Sequence, residues 1–198
     1  LTKFDLWNRK KSGVIVEFQA TERMKWGTRL QNAIAVGIAE EQGWKVRRMT
    51  EYIRDPELRM GASFDFSVDI AENRTQYEGG LLEIKNVDSL QFKNGWIVAG
   101  DDIEAPPHIE LQVQHQLAVS GRSYAYIGAL IGGNSLKLIL REPIPAVIAS
   151  IRQKVAEFWQ SIDADIPPEP IFPQDTETII RLSQYAKLGK VMLATESI

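Results

Sequence analysis

The sequence is poor in the residues that build covalent cross-links and most zinc centres. Its 198 residues include no cysteine and two histidines, His108 and His115. Disulfides, thiolate zinc sites and iron–sulfur clusters carried by this chain are therefore excluded, and two histidines are too few for a histidine-based zinc site. The sequence also has no signal peptide and no apolar run near the roughly 18 residues that a membrane span needs. These absences predict a soluble, cytoplasmic protein.

Charge is distributed unevenly along the chain. The net charge is −3, yet residues 1–54 carry a balance of +5, so the remainder carries −8. The basic residues of the first part occur in clusters: Arg9, Lys10, Lys11, Arg23, Lys25, Arg29, Lys45, Arg47 and Arg48. Such clusters are typical of a phosphate-binding surface that faces an acidic site, and they also fit an ordinary solvated basic face.

Two short stretches carry acids and a lysine on strand-like patterns. Because successive side chains of a strand point to opposite faces, residues 62–70 divide into a core face and a wet face. The core face is Ala62, Phe64, Phe66, Val68 and Ile70, and the wet face is Ser63, Asp65, Ser67 and Asp69. The polar positions of the next stretch are Glu83 and Lys85. The two stretches predict an antiparallel hairpin with its turn near residues 73–75.

This hairpin would bring Asp65 almost opposite Glu83. Cross-strand neighbours lie roughly 4.5–5.5 Å apart at Cβ, so the two carboxylates could share one hard cation. Magnesium prefers oxygen ligands and keeps several waters, which predicts a site built from both carboxylates, the backbone carbonyl of Ile84 and water. Lys85 would orient or help deprotonate the attacking water, which makes the chain a nuclease candidate. The alternative is an ordinary solvent-exposed hairpin face without chemistry.

The rest of the chain alternates helices and strands. Helix signals predict helices that end near residue 11 and that cover 20–42, 107–120 and 145–162, with Gly43 and Gly121 as stops. Strand and loop signals predict strands over 45–54, 124–131 and 136–140, and a loop over 89–107. We expect one nuclease domain over residues 1–166 and an appendage over 167–198 that packs on the domain or on a neighbouring subunit.

Glutamines occupy positions where a helix would ordinarily be apolar. Gln31 lies on the apolar stripe of its helix, at i, i+3, i+4 and i+7 spacing with Ile34, Ala35 and Ile38. In the helix after Pro107, Gln114 likewise lies on the apolar stripe, between the glutamines at 112 and 116. Buried amides need hydrogen-bond partners. These could be phosphate, water or a metal ligand, and a satisfied polar core is the alternative.

Several segments in this order match the pattern of a known family. They are the helix glycine Gly27 followed by Gln31, the strand Gly61-Ala-Ser-Phe-Asp65, the triplet Glu83-Ile-Lys85, and the helix from Pro107 to Gly121. Together they resemble the YqaJ-type viral recombinase family, the lambda-exonuclease branch of the PD-(D/E)XK nucleases, over about two-thirds of the chain. The resemblance implies an α/β (α+β) fold with a central mixed β-sheet flanked by helices, which is a restriction-endonuclease-like core. It also implies hydrolysis of DNA from duplex ends, typically 5′ to 3′.

The same resemblance implies cofactors and partners. The expected cofactor is magnesium, with manganese as a substitute, as one or two ions. The expected partners are double-stranded DNA ends, a single-strand annealing protein and further copies of the chain in a homotrimer, acting in phage recombination in a bacterial host cell. Because the chain begins at Leu1 without methionine, we expect that an N-terminal segment of the family, with part of the end-recognition surface, is missing.

Site residues follow from the resemblance position by position. The catalytic residues would be Asp65, Glu83, Lys85 and Gln114, and the metal ligands Asp65, Glu83, Ile84 and Gln31. The expected DNA contacts are Arg23, Lys25, Arg29, Ser63 and Gln112. Many relatives have glutamate at the position of Gln31, so glutamine would weaken a metal contact there. Two alternatives stay open: a catalytically weakened DNA-binding protein on a nuclease scaffold, and a PD-(D/E)XK endonuclease.

Overall fold

The computed structural model describes residues 1–13, 19–69, 79–100 and 102–184. Its helices are α1 (Lys3–Ser12), α2 (Glu22–Gln42), α3 (Ser89–Gly95), α4 (Pro107–Ser120), α5 (Pro145–Asp163) and α6 (Thr176–Ser183). Its strands are β1 (Lys45–Arg48), β2 (Ile53–Asp55), β3 (Met60–Ala62), β4 (Phe66–Asp69), β5 (Gly80–Val87), β6 (Ile97–Ala99), β7 (Asp102–Glu104), β8 (Ala125–Ile131) and β9 (Ser135–Arg141). None of these helices is long and apolar enough to cross a membrane.

A five-stranded mixed sheet forms the centre of the larger compact unit, which covers residues 18–156. Its strand order is β1-β4-β5-β8-β9, so β5 is the middle strand. The β5–β8 pair is parallel, and the other three pairs are antiparallel. Two short ribbons, β2–β3 and β6–β7, lie outside this sheet. The mixed sheet flanked by helices confirms the predicted fold class.

Both faces of the sheet are covered by apolar side chains. On one face α2 buries Ile34, Ala35 and Ile38 in a cluster with Phe66, Val68, Leu82 and Ile84. On the other face α4 buries Ile109, Val113 and Leu117 in a cluster with Leu81, Val87, Ala125, Ile127 and Ala129. The prediction that the face carrying Glu83 is wet is therefore wrong. A middle strand with a helix on each side exposes neither face, whereas the hairpin pattern alone implied one solvated face.

Glycine and proline set the ends of the two central helices as predicted. Gly43 follows α2 with φ of 67°, and Gly121 follows α4 with φ of 68°, a left-handed conformation that residues with a side chain rarely adopt. Pro107 occupies the first turn of α4, where its missing N–H costs no hydrogen bond. The predicted hairpin of residues 124–140 is also confirmed as β8 and β9.

Two stretches differ from the sequence prediction. Residues 89–107, predicted as a loop, contain α3 and the β6–β7 ribbon. The side chain of Asp88 caps α3 by accepting a hydrogen bond from Gln91 N at 2.8 Å, and a seven-residue helix is too short to show a clear apolar period. The predicted strand 45–54 is divided into β1, which pairs with β4 in the central sheet, and β2, which pairs with β3 outside it. The Met49 N–H donates to the Asp65 carbonyl at 3.0 Å, one step beyond the β1–β4 register.

The smaller compact unit joins the two ends of the chain. Its described residues are 1–13 and 157–184, which include α1, α6 and the end of α5. In it Asp5, only 6 % exposed, accepts hydrogen bonds from Thr178 Oγ1 at 2.9 Å and Arg181 Nη2 at 3.1 Å and forms an ion pair with Arg9 at 2.7 Å. The N-terminal helix thus groups with the C-terminal segment, and the domain boundary at residue 166 stays a prediction.

Candidate functional site

Asp65 lies directly before β4, beside the middle strand. The β4–β5 register pairs Phe66 with Leu82, so the next step back along β4 brings Asp65 level with Glu83, as the hairpin predicted. The Asp65 Oδ2 atom accepts a hydrogen bond from Ile84 N at 2.9 Å, and Oδ1 accepts one from Gln31 Nε2 at 2.9 Å. The hairpin turn predicted near residues 73–75 lies outside the described residues.

Glu83 is a buried carboxylate surrounded by neutral donors and one ammonium group. Only 5 % of the residue is exposed. Its Oε1 atom accepts hydrogen bonds from Lys85 Nζ at 2.7 Å and Gln112 Nε2 at 2.8 Å. Its Oε2 atom accepts one from Gln116 Nε2 at 2.8 Å. A buried charge is tolerated only where partners of this kind replace water, so these contacts explain how β5 carries an acid in its middle.

Lys85 lies between Glu83 and Gln112. Its Nζ atom donates to Glu83 Oε1 at 2.7 Å and to Gln112 Oε1 at 2.9 Å. The side chain is 22 % exposed, whereas that of Glu83 is 6 % exposed. The ammonium group therefore lies where the buried carboxylate meets solvent, and it has a third proton to donate.

The two carboxylates leave this site with excess negative charge. Burial, and secondly the charge of Glu83, raise the pKa of Asp65 to about 6. The hydrogen bond from Ile84 N, the charge of Lys85 and the hydrogen bond from Gln31 act in the opposite direction and do not outweigh these causes. A carboxyl whose ionisation is disfavoured in this way gains from a nearby positive charge.

The oxygen atoms of the site suit a hard divalent cation. An ionised carboxylate offers about four acceptor positions. The described hydrogen bonds use three on Glu83 and two on Asp65, which leaves one on Glu83 Oε2 and one on each Asp65 oxygen. Among the described residues no group of three or more His, Cys, Asp or Glu could hold a metal ion. A cation here would therefore complete its shell with backbone oxygen and water, as Mg²⁺ commonly does.

The glutamines of α4 divide between two sides of the helix. Gln112 and Gln116, four positions apart, both reach Glu83. Gln114 is buried like Gln116, whereas Gln112 is exposed, and the Gln114 amide bonds to the Glu142 carbonyl at 2.9 Å and to Ile144 N at 2.8 Å. The structure thus does not bring Gln114 to the carboxylates, and it adds Gln116, which is not among the predicted site residues. The four-residue spacing of Gln112 and Gln116, which places both on one side of the helix, could have identified Gln116 from the sequence.

The three basic residues of α2 that are predicted to contact DNA have different neighbours. Arg23 bonds to Asp88 at 3.3 Å and to Gln91, at the start of α3. Arg29 stacks on the ring of Trp26, with Cζ 5.0 Å from the ring centroid. Lys25 is exposed on the same end of α2. The side of α2 that carries Arg29 is roughly opposite the side that carries Gln31, because two positions turn a helix by about 200°.

Ser63 and Gln112 lie near Glu83, whereas Lys45 and Arg47 of β1 line a different part of the surface. Ser63 contributes its carbonyl, which accepts from Gln116 at 3.2 Å, and Gln112 binds Lys85 and Glu83 as above. Lys45 and Arg47 line a separate cavity whose described lining includes neither carboxylate of the site.

Comparison with known proteins identifies a family and a curated relative. The YqaJ-like viral recombinase domain matches residues 2–123, more than half of the chain. The uncharacterized protein YqaJ of Bacillus subtilis (strain 168) is 31 % identical over 160 residues, which are 80 % of this chain and 47 % of that protein. The chain thus spans about half the length of this curated relative.

Solved structures with the same fold include an alkaline exonuclease, LHK-Exo, from Laribacter hongkongensis. One of its crystal structures matches with a TM-score of 0.63 at 22 % identity, covering 93 % of this chain and 84 % of that one. The structure of LHK-Exo in complex with dAMP also gives 0.63, at 21 % identity, covering 93 % and 85 %. These likenesses concern the fold. The resemblance seen in the sequence is confirmed by the match over residues 2–123, and the chain belongs to the YqaJ-like viral recombinase domain family.

Proposed function

We propose that this protein is a metal-dependent nuclease that hydrolyses phosphodiester bonds from the ends of double-stranded DNA, in the 5′ to 3′ direction. The observation that carries the proposal is the meeting of two acids and a lysine: Lys85 donates to Glu83, and the charges of both residues act on Asp65, which is held by the Ile84 N–H. Membership of the YqaJ-like viral recombinase domain family supports a role in DNA recombination. The shared fold with an alkaline exonuclease supports an exonuclease over other nucleases.

The proposed cofactor is Mg²⁺, held by the Asp65 and Glu83 carboxylates with the Ile84 carbonyl and water. The unused acceptor positions on both acids and the raised pKa of Asp65 support this assignment. When bound, such a cation neutralises charge on the phosphate and lowers the pKa of water, which favours attack on phosphorus. The Gln31 amide N–H donates to Asp65 and contributes no negative charge. The site therefore has only two carboxylates, which would hold a single ion more readily than a pair of ions.

The side chains of the site would then act by position and charge. Lys85 Nζ, fixed by Glu83 and Gln112, would donate a hydrogen bond to the attacking water or to a phosphate oxygen. Asp65 is fixed by the backbone N–H of Ile84 and would present its oxygen at constant distance from Glu83. Hydrolysis would proceed by in-line attack of water on phosphorus, with the leaving 3′ oxygen on the opposite side.

The exposed cationic end of α2 would contact the DNA phosphates. Arg23, Lys25 and Arg29 lie within two turns of one another there, and each is exposed. Phosphate contacts from such groups supply affinity that falls as salt concentration rises. Ser63 and Gln112 would contact the strand nearer the carboxylates. We further propose that the protein acts as a homotrimer with a single-strand annealing protein, in phage-type recombination in the bacterial cytoplasm.

The test is digestion of linear duplex DNA labelled at either the 5′ or the 3′ end, with and without Mg²⁺. We expect shortening only with the cation and early loss of the 5′ label. Covalently closed circles should resist digestion, because an end-dependent enzyme finds no end on them. Cleavage of such circles would replace the exonuclease with the endonuclease alternative.

A second candidate is a DNA-binding protein that has lost catalysis. Gln31 favours it, because this amide stands beside Asp65 as a hydrogen-bond donor and adds no negative charge for a cation. Such a protein would retard linear duplex in a mobility-shift experiment and leave its length unchanged in Mg²⁺ or Mn²⁺. Shortening of the same duplex would reject it.

A further inference from the structure

The amide of Gln116 donates to two different segments of the protein. Its Nε2 atom lies 2.8 Å from Glu83 Oε2 and 3.2 Å from the Ser63 carbonyl. An amide nitrogen carries two protons, so one proton is available for each acceptor. Gln116 is 4 % exposed and Glu83 is 5 % exposed, which makes this a buried bond between an amide and a charged group.

The two segments that Gln116 joins carry the two acids of the site. Ser63 is two residues before Asp65, and Glu83 lies in the middle of β5. The neighbouring His115 also contacts this segment, since its Nε2 lies 3.1 Å from the Gly61 carbonyl. Helix α4 therefore holds the chain leading to Asp65 and the side chain of Glu83 at the same time.

We propose that Gln116 is a positioning residue that fixes the Glu83 carboxylate relative to the Asp65 segment and so sets the geometry of the cation site. This inference rests on the proposed function, because it concerns the same two acids. Gln116 makes the one described hydrogen bond to Glu83 Oε2. Without it that oxygen is buried without a donor, and the carboxylate gains freedom to rotate away from Asp65.

Gln116→Met tests the inference, because methionine is nearly isosteric but has no donor. The probe is Mn²⁺ binding to the whole chain, measured by isothermal titration calorimetry without DNA. Residues that orient metal ligands typically change metal affinity by 10–100-fold when mutated, so we expect the Mn²⁺ dissociation constant to rise by about 10-fold or more. An unchanged dissociation constant would overturn the inference.

Gln114→Met is the matched control. Gln114 is buried to a similar extent in the same helix, but it bonds to Glu142 and Ile144. Its loss should lower the thermal unfolding midpoint about as much as Gln116→Met does and leave the Mn²⁺ dissociation constant unchanged. Equal weakening of Mn²⁺ binding in both variants would mean that Gln116 is structural only, and the inference would be wrong.

Gln116→Asn keeps the experiment decisive if the methionine variant does not fold. Asparagine retains the amide but is one methylene shorter, so it cannot span both acceptors, and we expect a smaller rise of the dissociation constant in the same direction. Wild-type affinity in this variant would contradict the inference. A wild-type protein that binds no Mn²⁺ would overturn the proposed function together with this inference, whereas normal wild-type binding with unaffected variants overturns the inference alone.

Discussion

Asp5, which is buried, and Asp65, which is partly buried, have different hydrogen-bond partners. Asp5, in the smaller unit, has two guanidinium groups and a hydroxyl as partners. Asp65, in the larger unit, has an amide and a backbone N–H, with a second carboxylate close by. Burial opposes ionisation of both acids. The arginines outweigh it at Asp5, whose pKa is lowered, and nothing outweighs it at Asp65, whose pKa is raised to about 6.

This difference separates a structural carboxylate from one that can bind a ligand. A carboxylate that is already neutralised by arginine gains little from an added cation, whereas a pair of carboxylates that has a single ammonium group beside it gains much. The location of excess charge, rather than the number of acids, therefore identifies the site. Changes at Asp65 should affect chemistry, and changes at Asp5 should affect stability.

The largest expected effect is loss of hydrolysis on removal of Lys85. Lys85→Ala should lower the rate by about 10²–10⁴-fold, because a positioned proton donor or acceptor contributes about that much. Asp65→Ala and Glu83→Ala should likewise abolish digestion. Each variant should keep the circular dichroism spectrum of the wild type. Full activity of Lys85→Ala in the end-labelled duplex assay would remove that residue from the mechanism.

The next effect is a dependence of cation binding on pH. The cation binds ionised Asp65, whose pKa is about 6, so affinity should fall up to about 10-fold for each pH unit below 6 and level off above it. The free energy of unfolding depends on pH in the opposite direction. Without a cation, raising the pH from about 4 to 6 should destabilise the protein, because the folded state retains this proton longer than the unfolded state. Calorimetric Mn²⁺ titrations between about pH 5 and 8 measure the first effect, and Asp65→Asn should remove the dependence.

A smaller effect is expected from converting the amide beside Asp65 into an acid. Gln31→Glu adds a third carboxylate and removes the donor to Asp65 Oδ1. Cation affinity rises with the number of charged ligands, so we expect magnesium to bind about 10-fold more tightly. Calorimetry gives both the affinity and the number of ions bound. An unchanged titration would show that Gln31 does not lie near the ion.

The smallest effect concerns Asp5. Asp5→Asn should destabilise the smaller unit by about 1–3 kcal/mol, as loss of a buried charged hydrogen-bond partner does, without changing hydrolysis. Since the pKa of Asp5 is lowered in the folded state, its contribution is present above the unfolded pKa of about 3.9 and is lost as pH falls through the folded pKa. Hydrogen exchange of the α6 amides at neutral and acid pH measures this. A drop in hydrolysis without faster exchange would contradict the comparison.

The strand alternation was enough to predict the relation between Asp65 and Glu83. Because side chains alternate with a period of two, the pairing of the two stretches decides which side chains lie on the same face. The observed β4–β5 register agrees with the predicted pairing. The burial of Glu83 was not predictable from the hairpin, because it depends on α4, which comes more than twenty residues later. The ion pair of Asp5 with Arg181 was also out of reach, because the two residues are 176 positions apart in sequence.

The α4 glutamines show why apolar stripes mislead at a polar site. Gln114 shares a stripe with apolar residues and is indeed buried, yet its partners, Glu142 and Ile144, lie just after β9. The residues that reach Glu83 lie on the side that contains Gln112 and Gln116. A stripe indicates which side is buried, but only the packing of the helix decides what each buried amide meets.

The position of Glu83 in the middle of the sheet has a consequence for insertions and deletions. β5 pairs with β4 on one edge and with β8 along seven residues on the other. Loss of a single residue from this strand would exchange its two faces beyond that point, turning the acid toward α2 and a leucine or isoleucine toward α4. The alternation of side chains between the two faces of β5 therefore tolerates a one-residue change in length less well than it tolerates most substitutions.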